Sequence, residues 1–190
     1  MTGRLVLLHG WGADGDDLRP LGKALNARMG ASLDLVTLDA PELHPQGSGR
    51  QWYGLFPADW DAVPTAVSQL QQRLLQLHGG EPALKKTVLF GFSQGGAMAI
   101  HAGCELPLAG VISCSGYPHP NWQPPSEHPP VLLLHGEDDA IVPFEAMAQI
   151  QDKLDSANCN AIPFKNGHTI PEETMRPIES FISSMLTKRQ

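Results

Sequence analysis

Short, largely apolar runs recur along the chain at 4–8, 33–38, 87–91, 109–114, 131–135 and 159–164. Each has the length of a single strand, and such runs suit strands buried on both faces of a sheet. Between them, 16–28, 61–77, 95–104 and 144–157 read as helices, and 171–186 as a final one. In that last segment Met175, Ile178, Phe181, Ile182 and Met185 fall on one helical face. Pro64 falls in the first turn of the second helix, where a missing N–H is harmless. Strands alternating with helices predict an α/β fold with a mostly parallel central sheet covered on both faces. No internal repeat or linker divides the chain, so residues 1–190 are expected to form a single domain.

Chemistry enters between the third strand and the third helix. The β-rich run Thr87-Val88-Leu89-Phe90 is followed by Gly91-Phe92-Ser93-Gln94-Gly95, and then by the helix formers Gly96-Ala97-Met98-Ala99-Ile100. Strand, G-x-S-x-G, helix is the arrangement of a nucleophile elbow. Only glycine fits at the flanking positions of so tight a turn, which pushes the serine hydroxyl out at the carboxyl edge of the sheet. A serine there also sits at a helix N-terminus, where backbone N–H groups stabilise developing negative charge.

Such a serine needs a base and an acid, which in this fold follow in the order Ser, Asp/Glu, His. Val131-Leu132-Leu133-Leu134-His135 runs directly into Gly136-Glu137-Asp138-Asp139, and Ala161-Ile162-Pro163-Phe164 leads into Lys165-Asn166-Gly167-His168. Carboxylates just past a strand's end lie on the same edge as the elbow. Ser93, Asp139 and His168 are therefore taken as the triad. Asp139 is preferred to its neighbours because the apolar stretch restarts at Ile141-Val142-Pro143. Asp138 suits a capping or solvated role, and Glu137 points to solvent. One oxyanion donor is expected from the N–H of Gln94. The other is expected from the loop after the first strand, where glycines flank Trp11, so its N–H is nominated. His9 and His135 close apolar runs and are expected to bond to loop backbone, while His101 is read as a packing or surface residue.

Taken together, these motifs resemble the phospholipase/carboxylesterase family, the α/β-hydrolases that include acyl-protein thioesterases. They are Leu8-His9-Gly10-Trp11-Gly12, Arg50-Gln51-Trp52-Tyr53, Gly91-Phe92-Ser93-Gln94-Gly95-Gly96, Ser115-Gly116-Tyr117, the acidic stretch from His135 through Pro143, and Gly167-His168. The resemblance runs from about residue 4 to about residue 185. It implies an α/β-hydrolase fold without a large lid domain, and it places the family's catalytic residues on Ser93, Asp139 and His168 and its oxyanion donors on Trp11 and Gln94. The family's usual proline after the aspartate is replaced by Ala140.

Composition narrows the substrate. With 13 Lys and Arg against 20 Asp and Glu, the formal net charge of −7 disfavours nucleic acid and anionic membrane surfaces as partners. Three cysteines, Cys104, Cys114 and Cys159, suggest free thiols in a reducing compartment. No apolar stretch is long enough for a bilayer span or a signal-peptide core, so a cytoplasmic location without integral membrane association is expected. No metal-site spacing occurs, and neither metal nor cofactor is expected. Loops 39–60 and 116–130 border the catalytic edge, and Trp52, Tyr117 and Ile141 are nominated as walls of an apolar acyl pocket. The expected function is hydrolysis of carboxylic esters or thioesters of short to medium acyl chains, on small-molecule, lipid-like or acylated-protein substrates. The alternative is a non-catalytic α/β-hydrolase scaffold binding an apolar ligand or partner protein.

Overall fold

Successive residues of a strand face opposite ways, so a strand apolar at every position needs cover on both sides. The first strand, β1 (Gly3–Leu8), shows this directly. Val6 and Leu8 join one core cluster, and Leu5 and Leu7 join another. The computed structural model describes residues 3–187. After β1 come α1 (Arg19–Arg28), β2 (Leu33–Leu38) and the two-residue strands β3 (Glu42–Leu43) and β4 (Arg50–Gln51). A 3-10 turn at Trp60–Ala62 opens α2 (Val63–Gln76), followed by α3 (Gly80–Leu84), β5 (Thr87–Phe92) and α4 (Gln94–Gly103). The chain continues with β6 (Gly110–Cys114), β7 (Val131–Gly136), α5 (Glu145–Gln151), β8 (Cys159–Phe164) and α6 (Met175–Thr187).

The central sheet is six-stranded, in the order β2-β1-β5-β6-β7-β8, and every pairing is parallel. One face is covered by α2, α4 and α5, which bring Val67, Leu70, Met98 and Ile150 against Val6, Leu89, Val111 and Leu133. The other is covered by α1 and α6, through Leu25, Met175, Ile178 and Ile182 against Leu7, Phe90, Ile112 and Leu134. This is the expected α/β architecture, a parallel sheet with helices on both faces and, among the described residues, no large lid. Buried α4 is apolar nearly all round, and α2 turns Ala66, Val67, Leu70 and Leu74 inward at helical spacing. Pro64 does occupy the start of α2. Pro163 is tolerated within β8 because that strand is an edge.

Some element bounds differ from those read in the pattern, and side chains explain two of them. Helix α1 starts at Arg19 because Asp14 and Asp17 hold the preceding N–H groups in turns, Asp14 Oδ1 accepting from Asp16 and Asp17 Oδ2 from Asp14. Helix α5 stops at Gln151, and Asp155 then accepts from the Ala157 N–H in a local turn. The β3–β4 hairpin and α3 have no counterpart in the hydrophobic pattern, being too short to carry a period.

Chain order places the site. The strand order reverses between β1 and β5, whose neighbours in sequence lie on opposite sides. Such a switch point opens a crevice at the carboxyl ends of the two strands. The loop at 9–13 and the turn at Ser93 leave the sheet on either side of it.

Candidate active site

Ser93 has φ 56° and ψ −121°, a conformation unusual for a residue with a side chain. The neighbouring chain leaves no slack. A Cβ on Gly91 would stand 2.0 Å from the Gly95 carbonyl oxygen, and one on Gly95 would stand 2.3 Å from that of Leu8. The turn is held by the Ser93 N–H donating to the Cys114 carbonyl at 2.9 Å, and by the Ala97 N–H donating to that of Ser93 at 3.0 Å. These contacts fix the serine hydroxyl above the end of β5.

Three side chains from three strand ends meet there. His168 Nε2 lies 3.0 Å from Ser93 Oγ, and its Nδ1 lies 2.7 Å from Asp139 Oδ2. The Asp139 side chain is wholly buried, and its Oδ1 accepts from the N–H groups of Ile141 and Val142 at 2.9 Å each. Burial pushes the carboxyl pKa up, but the hydrogen bonds from His168 and from the Val142 and Ile141 backbone outweigh it and hold the group below its ordinary value. Asp138 and Glu137 are both exposed, and Glu137 pairs with Lys165 at 3.0 Å.

Beside the serine, the N–H groups of Trp11 and Gln94 have no acceptor among the described residues. The loop carrying Trp11 is braced by the β3–β4 hairpin. Gly12 N–H donates to Arg50 O at 2.9 Å, Arg50 N–H donates to Ala13 O at 2.8 Å, and the Trp11 indole donates to Gln51 Oε1 at 2.9 Å. His9 and His135 make the backbone bonds expected of them: the Ala40 N–H donates to His9 Nε2, and His135 Nε2 lies 3.0 Å from the Val142 carbonyl. Gln94 serves twice over, since its buried side chain accepts from the Trp52 N–H at 3.0 Å and donates to the Tyr53 carbonyl at 2.8 Å.

A cavity of about 1020 Å³ opens onto Ser93 and His168. Its walls include Trp11, Phe56, Trp60, Tyr117, Ile141 and Val142. Tyr117 and Ile141 line this cavity, and Ile141 is 69% exposed. Trp52 does not, and its nomination as a pocket wall is corrected. It is 2% exposed, and its indole N–H donates to the His9 carbonyl at 3.0 Å. A buried indole needs an acceptor, and this one lies behind the loop at 9–13, away from the cavity. The aromatics Phe56 and Trp60, from the same loop, line the cavity instead. His119 lines it too, although a histidine among prolines carries no sequence signal for that role. His101, read as a packing residue, bonds to His119 behind this wall.

Comparison with known proteins identifies the family. The model of the phospholipase/carboxylesterase family matches residues 1–186. The chain is 26% identical over 166 residues to acyl-protein thioesterase 1 of Neurospora crassa, covering 72% of this chain and 66% of that protein. It is 25% identical to acyl-protein thioesterase 1 of Saccharomyces cerevisiae over 96% of this chain and 92% of that protein. Among solved structures, esterase PE8 superposes with a TM-score of 0.86 at 29% identity, covering 97% of this chain and 93% of that one. Sequence, sheet order and structural likeness converge: the chain belongs to the phospholipase/carboxylesterase family of α/β-hydrolases.

Proposed function

We propose that this protein is a serine hydrolase that cleaves carboxylic esters or thioesters of short to medium acyl chains through an acyl-enzyme. The observation that carries the reading is the continuous path from Ser93 Oγ through His168 to Asp139, with links of 3.0 and 2.7 Å. Ser93 Oγ attacks the acyl carbon while His168 Nε2 takes its proton. Buried Asp139 keeps the imidazole proton on Nδ1 and stabilises the imidazolium that forms. The N–H groups of Trp11 and Gln94 receive the oxyanion. His168 then returns the proton to the departing alcohol or thiol, and water admitted from the open cavity hydrolyses the acyl-serine by the same route. An apolar cavity of about 1020 Å³ suits an acyl chain of that length.

The acyl-protein thioesterase relatives support a thioester or acylated-protein substrate alongside simple esters. The described residues include no helix long and apolar enough to cross a membrane. Cys104, Cys114 and Cys159 are free thiols, which supports a cytoplasmic setting. The test is labelling with a fluorophosphonate probe beside hydrolysis of p-nitrophenyl and acyl-thioester substrates. The wild type should be labelled and active, and Ser93→Ala should abolish labelling and lower kcat on the order of 10³-fold or more. A variant that keeps most of its activity would overturn covalent catalysis through Ser93.

A further inference from the structure

A line of hydrogen bonds leaves the cavity wall and crosses the core to the surface. Tyr117 lines the cavity, and its hydroxyl lies 2.6 Å from that of Tyr53. Tyr53 Oη lies 2.9 Å from His119 Nε2, and His119 Nδ1 lies 2.8 Å from Nδ1 of His101 on α4. At the far end, His101 Nε2 is 3.9 Å from Glu105 Oε1, whose other oxygen accepts from Gln71 at 2.7 Å. Tyr53 and His119 are 0% and 3% exposed, and the catalytic path uses none of these groups.

Each link holds one proton, so the whole line must run in one sense or the other. Burial holds both histidines neutral, lowering His101 and bringing His119 to about 3. A neutral imidazole carries one N–H and one lone pair. The Glu105 carboxylate favours the N–H on Nε2 of His101 and repels a lone pair there, so Nδ1 of His101 is an acceptor. His119 must then carry its proton on Nδ1 and offer Nε2 to Tyr53. Tyr53 donates its one proton to His119 and accepts from Tyr117. Tyr117 donates its own proton to Tyr53. Only lone pairs of the Tyr117 oxygen then remain for a further partner. In the opposite sense, Tyr117 would instead offer a free O–H.

We propose that Tyr117 determines specificity by presenting a phenol oxygen that only accepts, so that the pocket selects acyl chains carrying a hydroxyl over the same chains carrying an ether. A hydroxyl buried among apolar walls is costly unless it finds an acceptor. Trp60, with its ring centroid 6.5 Å from that of Tyr117, and adjacent Pro118 have no side-chain acceptor, whereas Asn121, Gln149 and Asp152 elsewhere around the cavity do. The proposal rests on the esterase reading above.

The test uses p-nitrophenyl esters of hexanoate bearing a hydroxyl at C3 or at C6, beside the corresponding methyl ethers. For the position that reaches Tyr117, kcat/KM for the alcohol should exceed that for the ether by about tenfold, the worth of one neutral hydrogen bond. Tyr117→Phe should bring that ratio close to one. Independently, ¹⁵N-histidine spectra of the wild type should show His119 protonated on Nδ1 and His101 on Nε2. An alcohol-to-ether ratio near one at both positions, a ratio unmoved in Tyr117→Phe, or His119 protonated on Nε2 would each overturn the proposal. If no ester is turned over at all, the esterase reading fails, and the tautomers alone still decide the sense of the line.

Discussion

Two carboxylates adjacent in sequence have opposite environments, and that contrast separates their roles at the scale of single residues. Asp139 has no exposed side-chain surface and contacts His168 at 2.7 Å, while Asp138 is exposed. An amide at 139 would still fit the space, but it would present an N–H to His168 and favour the wrong imidazole tautomer. Asp139→Asn should therefore lower kcat/KM on an ester by about 10⁴-fold, as such a change does in a serine protease triad. Asp138→Asn should stay within about threefold, since a solvated carboxylate contributes little. Steady-state kinetics of both variants on one substrate decide the point, and a crippled Asp138→Asn would shift the acid by one residue. The choice of Asp139 was legible because an apolar stretch restarts just after it. The burial of Trp52 was not legible, because a tryptophan in a loop looks the same in sequence whether it faces a cavity or the back of a neighbouring loop.

At the scale of elements, the β5–α4 elbow and the end of β1 are built against each other. A methyl group on Gly95 would stand 2.3 Å from the Leu8 carbonyl oxygen and 2.5 Å from that of His9, both backbone atoms that cannot swing aside. Gly95→Ala should destabilise the fold by about 3 kcal/mol, at the upper end for overpacking. In a chain of this size that is a Tm loss on the order of 6–12 °C. Gly54→Ala is the control, since its nearest atom is 3.6 Å away and its cost should be small. Equal Tm values for the two variants would show that the elbow tolerates a side chain there. The central strands and long helices were legible because burial on both faces and helical spacing leave periodic marks. The β3–β4 hairpin left none: two paired residues on each side carry no period, and its effect on the site comes through the backbone bonds of Gly12 and Arg50. The line from Tyr117 to Glu105 was equally invisible, because its members lie in separate segments that only the folded sheet brings together.

Across the whole molecule, net charge and buried histidines pull stability in opposite directions as pH falls. The chain carries a formal −7, so mild acidification relieves self-repulsion and on that ground alone should stabilise the fold or leave it unchanged. His119 works against this, because burial, and then the neighbouring His101, lower its pKa to about 3. Above the unfolded-state value of about 6.5, both states are neutral and the group adds no slope. Below it, the unfolded chain takes up a proton that the folded chain refuses, so stability present near neutrality is lost progressively as pH falls toward about 3. Between pH 7 and pH 5 that loss should be on the order of 2 kcal/mol from His119. His101 and His9, both lowered chiefly by burial, act in the same direction. Urea midpoints at the two pH values, measured for the wild type and His119→Gln, isolate the contribution. The wild type should lose stability on acidification and the variant should lose distinctly less, even if its stability at pH 7 is lower. Identical pH slopes in the two proteins would mean that His119 accepts a proton in the folded state, and that the wall behind the cavity is wetter than its burial implies.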